Sequence, residues 1–235
     1  MGRGDSSMKL KQVMATGIVT TVLGLAPMIA SAEEGAYFGA FLGKGSVDIS
    51  SSDLDKLAVS ITQRAGGSTP SGTSDLNDMD SIWGVQIGYR FNRWVAAEVG
   101  YVDLGKSNYK ADLVATFGGV AESYDVRGRY ISSGPTIAVL ANLPIKDLFD
   151  IYARGGVYFA DTRLRMQLDF ANNARDQSME NKAGTQELFG GLGFAWNINA
   201  DYAVRAEVSY FLDVGDDDRT GEASVTTLGF GFVFR

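Results

Sequence analysis

Large apolar side chains recur at every second position through much of this chain, in runs separated by turns and polar stretches. The last run is the clearest. Leu228, Phe230, Phe232 and Phe234 fall on one face of an extended strand, and Thr227, Gly229, Gly231 and Val233 fall on the other. A period of two is strand spacing. Bulk on one face and small groups on the other suit a barrel wall whose outside is lipid.

Seven upstream segments repeat the pattern. Ala36 to Lys44 sets Ala36, Phe38, Ala40 and Leu42 against Tyr37, Gly39, Phe41 and Gly43. Ile82 to Phe91 sets Trp83, Val85, Ile87, Tyr89 and Phe91 against Gly84, Gln86, Gly88 and Arg90, and Trp94 to Leu104 sets Val95, Ala97, Val99 and Tyr101 against Ala96, Glu98 and Gly100. The fourth runs from about Tyr124 to Leu143 with Ile137, Val139, Ala141 and Leu143 outward. The fifth, Asp150 to about Arg163, opposes Ile151, Ala153, Val157 and Phe159 to Tyr152, Arg154, Gly156 and Tyr158. Gln186 to Asn197 opposes Leu188, Leu192, Phe194 and Trp196 to Glu187, Phe189, Gly191 and Gly193, and Tyr202 to about Val214 opposes Val204, Ala206, Val208 and Tyr210 to Arg205, Glu207 and Ser209.

The connections alternate in length. Asn92-Arg93, Pro144 to Phe149 and Ile198 to Asp201 are short, whereas Gly45 to Ser81, Gly105 to Ser123, Leu164 to Thr185 and Gly215 to Ala223 are long. Tight turns at one end and long excursions at the other are the layout of bacterial outer-membrane barrels. Within the first excursion, the alternation Leu57-Ala-Val-Ser-Ile61 predicts an extension of the hairpin above the membrane.

Charge decides which face is outside. A soluble eight-stranded barrel puts its apolar groups inward. Here Glu98, Arg154, Glu187, Arg205 and Glu207 share the small-residue face, and the bulky face carries almost no charge. Basic groups facing lipid would cost ~2–4 kcal/mol each at the midplane, so the charged face is predicted to line the lumen. The aromatics agree. Trp94, Phe149, Trp196, Tyr202 and Phe234 lie beside the short turns, and Trp83, Tyr101, Phe159 and Tyr210 lie toward the loops, as two interfacial girdles require.

At the other end of the chain, Met8-Lys-Leu-Lys11, the apolar run Val13 to Ile29 and the Ala30-Ser31-Ala32 triplet have the form of a secretory signal peptide. Residues 1–32 are therefore predicted to be removed, with 1–7 an upstream extension, leaving 33–235 as the barrel domain. The integrin-type triplet Arg3-Gly4-Asp5 precedes this leader and gets no adhesive reading. Of the 21 Lys+Arg and 28 Asp+Glu, Arg3, Lys9, Lys11 and Asp5 lie in the leader, which leaves 18 against 27. An acidic exported protein is a poor nucleic-acid binder, because that binding works by displacing counterions with basic groups. Beyond the leader no apolar run approaches the ~20 residues of a spanning helix, so any membrane span must be β.

Cysteine and histidine are both absent. No disulfide or thiolate metal site exists, and no histidine-based triad can form. Barrel enzymes of outer membranes such as lipid A deacylases, palmitoyl transferases and phospholipases rely on histidine, so no catalysis is predicted. Asp213, Asp216, Asp217, Asp218 and Glu222 offer oxygen ligands for a divalent cation but lack EF-hand spacing; a solvated loop is the plainer reading. Gly66-Gly67, Gly118-Gly119 and Gly190-Gly191 lack the strand-to-helix context of phosphate loops.

With these segments in order, the chain resembles the OmpA-like transmembrane β-barrel family across nearly all of residues 33–235. Ala97-Glu-Val-Gly-Tyr101 with Asp103-Leu-Gly105, Leu143-Pro-Ile145, Asp150-Ile-Tyr-Ala-Arg-Gly-Gly156, Val204-Arg-Ala-Glu-Val-Ser-Tyr210 and the Phe-rich terminus carry the resemblance. It implies that an inward carboxylate of the third segment, Glu98, pairs with an inward arginine of the seventh, Arg205, with Arg154 and Glu207 in the same interior network. Family members with a gate have a competing interior lysine and glutamate; Leu140 and Gly193 stand at those positions here. The resemblance therefore supports the plug and does not carry over the gate. Larger members continue into a peptidoglycan-binding domain, and this sequence stops at the barrel. Arg235 follows the terminal aromatic on which the family's assembly signal usually ends.

These readings together predict an all-β, eight-stranded, antiparallel up-and-down transmembrane barrel in the outer membrane, without cofactor. Its expected partners are outer-membrane lipids and lipopolysaccharide, the barrel-assembly machinery through the C-terminal strand, and host or phage ligands at the loops. Its expected role is structural and surface-directed (envelope integrity, adhesion or recognition). The rival reading is a narrow channel or transporter for small hydrophobic molecules.

Overall fold

The computed structural model describes residues 34–48, 59–60, 62–64, 66–77, 79–146, 148–170, 176–216 and 220–235. The leader predicted at 1–32 and the triplet Arg3-Gly4-Asp5 lie outside the described residues. Among the described residues nine strands follow one another: β1 (Gly35–Asp48), β2 (Ser71–Asn77), β3 (Met79–Arg90), β4 (Val95–Phe117), β5 (Val120–Ile145), β6 (Phe149–Phe170), β7 (Gln177–Asn197), β8 (Tyr202–Asp216) and β9 (Gly221–Phe234). Every pairing is antiparallel. β2 and β3 both pair with β4, with Asn77 opposite Asn108 and Trp83 opposite Asp103, and so share one place in the wall. The wall closes where β1 meets β9, with Phe38 opposite Phe234 and Asp48 opposite Ser224. The result is a ring of eight positions with no free edge at membrane level, the condition for a sheet to cross lipid.

Sidedness follows the charge argument. Phe230 and Phe232 are 57% and 70% exposed, whereas Glu98 is 2% exposed inside the ring. Leu42, Val99, Val139, Leu188 and Leu192 join the outer face. Trp94, Trp196, Tyr202 and Phe234 ring the short-turn end, and Trp83, Tyr101 and Tyr210 ring the other, all at the surface. Two of the three short turns use one device. The side-chain oxygen of Asn92 accepts from the backbone N–H of Trp94 and Val95 at 2.8 and 2.9 Å, and that of Asn199 accepts from Asp201 and Tyr202 at 2.9 and 2.8 Å. Asn does this readily because its short amide can stand in for a backbone carbonyl.

The strands run far beyond the segments read from the sequence. A spanning strand needs ~9–11 residues, yet β4 to β7 hold 23, 26, 22 and 21. Most of the second and third excursions is therefore strand, not irregular loop. β4 turns directly into β5 through Gly118-Gly119, whose φ values of 58° and 91° make the two-residue hairpin turn that suits twisted strands. Above the membrane the polarity of the wall inverts. On β6 the inward residues change from Tyr152, Arg154 and Tyr158 to Leu164, Met166, Leu168 and Phe170, while Asp161, Arg163, Arg165 and Gln167 turn outward. The extension is thus built like a soluble sheet, apolar within and polar without. Of the strand expected at Leu57 to Ile61, Leu57, Ala58 and Ile61 lie outside the described residues, and Val59 and Ser60 are helical, as are Thr62 to Arg64. The Thr62 hydroxyl lies 2.6 Å from that of Tyr124, so this turn of helix sits against the inner face of the extension. Tertiary packing has overridden a short alternation.

Candidate functional site: the lumenal charge cluster

Three strands deliver four charges to one level of the lumen. Glu98 comes from β4, Arg154 from β6, and Arg205 and Glu207 from β8. Each stands at an inward position because strand parity puts alternate residues there. Arg205 Nη1 donates to Glu98 Oε1 at 2.7 Å, and Tyr37 of β1 donates its hydroxyl to the same oxygen at 2.7 Å. Arg154 Nε lies 3.4 Å from Glu98 Oε2, and Arg154 Nη1 donates to Glu207 Oε1 at 3.2 Å. Glu207 also accepts from the hydroxyls of Tyr152, at 2.9 Å, and Ser209. Two carboxylates and two guanidiniums balance, so the buried charge is paired throughout, as burial in low dielectric demands.

Aromatic faces complete the cluster. The Arg205 guanidinium lies 5.2 Å from the Tyr37 ring and 5.1 Å from the Tyr152 ring, and that of Arg154 lies 5.1 Å from Phe189, geometry that suits cation–π attraction. The two tyrosines fit because the wall gives way beside them. A Cβ on Gly88 would lie 2.2 Å from the Tyr37 ring, and one on Gly193 would lie 2.2 Å from the Tyr152 ring. Gly193 is therefore filled by a neighbour's phenol. Leu140 is fully buried.

Several members of the interior escaped the sequence reading. Tyr37 and Tyr152 were recognisable as inward-facing, but nothing in a period-two pattern tells that their hydroxyls complete an ion pair. Nearer the short turns a second layer forms. Arg90 Nη2 donates to Asp150 Oδ2 at 3.0 Å, Asn197 Nδ2 reaches the same oxygen at 3.4 Å, and Arg235 Nη2 donates to Asn197 Oδ1 at 2.6 Å. Arg235 is thus tied into this mouth, and its backbone N–H is held by the Asp201 carbonyl at 2.9 Å. Asp150 opens the fifth segment read from the sequence and Asn197 closes the sixth, where alternation names no partner across the ring.

Beside the charge cluster, whose Arg154, Arg205 and Glu207 form part of its wall, a cavity of about 30 Å³ is lined also by Phe41, Ile82 and Phe211. That is room for about two water molecules and far below the ~300 Å³ at which ligand pockets begin. In the acidic loop, Asp213 adopts φ 45° at a register shift between β8 and β9 and accepts from Ser224 Oγ at 3.5 Å, and the Asp216 N–H donates to Thr220 Oγ1 at 3.0 Å. Asp217 and Asp218 lie outside the described residues. Among the described residues no group of three carboxylates is placed to hold a metal.

A sequence profile of the OmpA-like transmembrane domain matches residues 31–235. The chain belongs to that family. Outer membrane protein A of Escherichia fergusonii is 31% identical over 153 residues, and that of Shigella dysenteriae is 30% identical over the same length. Each match covers 63% of this chain and 38% of the relative, so the chain spans well under half the length of these relatives. Among solved structures, the N-terminal β-barrel domain of Pseudomonas aeruginosa OprF aligns with 86% of this chain and 99% of its own at 10% identity and a TM-score of 0.40. This OmpA-like barrel is a bacterial outer-membrane protein, with its short turns toward the periplasm and its extension toward the outside.

Proposed function

We propose that this OmpA-like barrel is a closed, non-catalytic membrane anchor that carries a stiff β extension to the cell surface, where it serves envelope integrity and contact with external surfaces. The observation that carries this reading is the paired cluster of Glu98, Arg154, Arg205 and Glu207 across the lumen, which supports a lumen closed to solutes. The apolar inner face of the extension, with Val126 and Met166 at 0% exposure, supports it further. No histidine, cysteine or metal-holding group is available among the described residues to drive hydrolysis.

Planar-bilayer recording and uptake assays test the proposal together. The purified barrel is expected to carry no steady current, and a deletion strain is expected to take up small hydrophobic molecules at the parental rate. Selective uptake restored by the protein would instead support the transporter reading.

A further inference from the structure

The outward face of the extension, just above the loop-side girdle, holds an arrangement that the bare protein does not favour. Arg129 on β5 stands directly opposite Arg165 on β6, and Arg163 on β6 stands directly opposite Lys182 on β7. Like charges facing each other across a sheet destabilise the pair. Lys106 and Lys110 on β4 oppose Ile131 and Arg127, which places both diagonally beside Arg129, at a separation long side chains bridge. All six of Lys106, Lys110, Arg129, Arg163, Arg165 and Lys182 are exposed.

Neighbouring acids neutralise the margin of this patch but not its centre. Glu180 takes Arg165 at 2.9 Å and Lys182 at 3.1 Å, Asp161 lies 4.0 Å from Arg163, and Asp125 and Asp169 each lie 3.7 Å from Arg127. Lys110 stands opposite Asp75 of β2, and the Lys106 backbone N–H donates to Asp80 Oδ2 at 2.9 Å; among the described residues Arg129, at the centre, has no carboxylate within ion-pair distance. The height is also defined. Arg163 and Arg165 follow the girdle residue Phe159 by four and six positions, which is ~13 and ~20 Å along a strand and about 10 and 15 Å upward once a tilt of ~40° is allowed for. The headgroup layer extends several ångströms beyond the hydrocarbon core, so these cations stand at its outer edge and just above it, within reach of the phosphates of a large glycolipid headgroup.

We infer that the patch centred on Arg129, with Lys106, Lys110, Arg163, Arg165 and Lys182 around it, is a docking site for the phosphate groups of the outer leaflet's phosphorylated glycolipid. This deepens the reading of the chain as an outer-membrane barrel and depends on it. Arginine matches phosphate with paired N–H donors, and lysine adds point charge. One phosphate between Arg129 and Arg165 turns a repulsive cross-strand pair into a bridged one, and a second between Arg163 and Lys182 does the same one step lower. The lipid thereby ties β5, β6 and β7 together from outside, at the level where the wall loses β8 as a neighbour: the β7–β8 pairing ends at Phe189 opposite Phe211.

The test uses the full chain refolded into phosphatidylcholine nanodiscs doped with bisphosphoryl lipid A, monophosphoryl lipid A or fully dephosphorylated lipid A, with retention read by native mass spectrometry. Retention is expected to fall in that order. R129A and R163A are each expected to weaken retention of the bisphosphorylated form about tenfold, the loss of one charge-assisted contact. R129E provides an opposite-signed control. It is expected to raise the melting temperature in discs without glycolipid, because it relieves the clash with Arg165, and to abolish the stabilisation that bisphosphoryl lipid A gives the parent. Equal retention of the dephosphorylated lipid, or unchanged retention by R129A, overturns the proposal. Capture of a soluble sulfated polysaccharide with no retention of the glycolipid overturns it too, in favour of an external polyanion. Failure of the parent chain to shift on unboiled gels and to enter nanodiscs at all defeats the barrel reading itself, a result distinct from a folded barrel that ignores phosphate.

Discussion

Glu98 is held by groups from three other strands: Tyr37 on β1, Arg154 on β6 and Arg205 on β8. Three partners on one carboxylate make it the point at which the cluster is easiest to break. Glu98→Ala leaves two guanidiniums in the lumen with Glu207 alone, and uncompensated buried charge costs about 3–5 kcal/mol. Urea unfolding of the refolded barrel in lipid vesicles, followed through Trp83, Trp94 and Trp196 on the lipid face, is expected to show a loss of that size. Glu98→Leu combined with Arg205→Met removes both charges at once and leaves the Arg154–Glu207 pair intact, and so is expected to recover most of the loss. If Glu98→Ala were as stable as the parent, the ion cluster would not be what holds these strands in register. The glycines opposite the tyrosines constrain the same layer sterically. A side chain at Gly88 or Gly193 meets a phenol ring already seated there, so the pairing geometry and the small wall residues form one arrangement.

At the scale of elements, β6 shows what a sequence discloses and what it conceals. Its membrane half was legible because apolar residues on the outward parity can only face lipid when arginine sits on the other. Its upper half carries an equally regular alternation, Leu164, Met166, Leu168 and Phe170 against Arg163, Arg165, Gln167 and Asp169, but with the sign reversed. A search for outward apolar residues ends the strand at that reversal, although the physics changes only because the solvent outside changes from lipid to water. The ionic residues of the lumen were legible for the same reason as the membrane strands, namely their parity. Asp150, Asn197 and Arg235 were not, since residues at strand ends take their role from what the closed ring brings beside them. The extension has its own packing. Phe117 meets Tyr124 and Phe170 edge-on at 6.2 and 5.4 Å, and the latter two stack at 4.8 Å. Met166→Ala, at a fully buried position in that region, is expected to cost about 2–5 kcal/mol of local stability. The loss should appear as faster protease cleavage within β4 to β7 while the unboiled gel shift of the membrane barrel is retained. Loss of the shift as well would mean that extension and membrane ring unfold as one cooperative unit.

For the molecule as a whole, the two regimes of packing act in series along one axis. The lumen within the membrane is crossed by ion pairs, in the Glu98 cluster and the Arg90–Asp150 layer beneath it. The extension above is lined by apolar side chains, with Phe117, Tyr124, Val126, Met166 and Phe170 all buried. Ion pairs and greasy side chains fail under different insults, since deleting a charge breaks the first and leaves the second. Sealing is therefore expected to be redundant, and the expectation can be separated into parts in planar bilayers. Glu98→Ala with Arg205→Ala should still carry no steady current, because the apolar layer remains. Phe117→Ala with Phe170→Ala should likewise stay silent, because the ionic layer remains. Only the fourfold variant is expected to conduct steadily, and its current should be small, since eight strands enclose a lumen that side chains nearly fill. Steady current from the ionic double variant alone would show that the extension stands open above the lumen, and that its buried apolar face packs against the wall without bridging it.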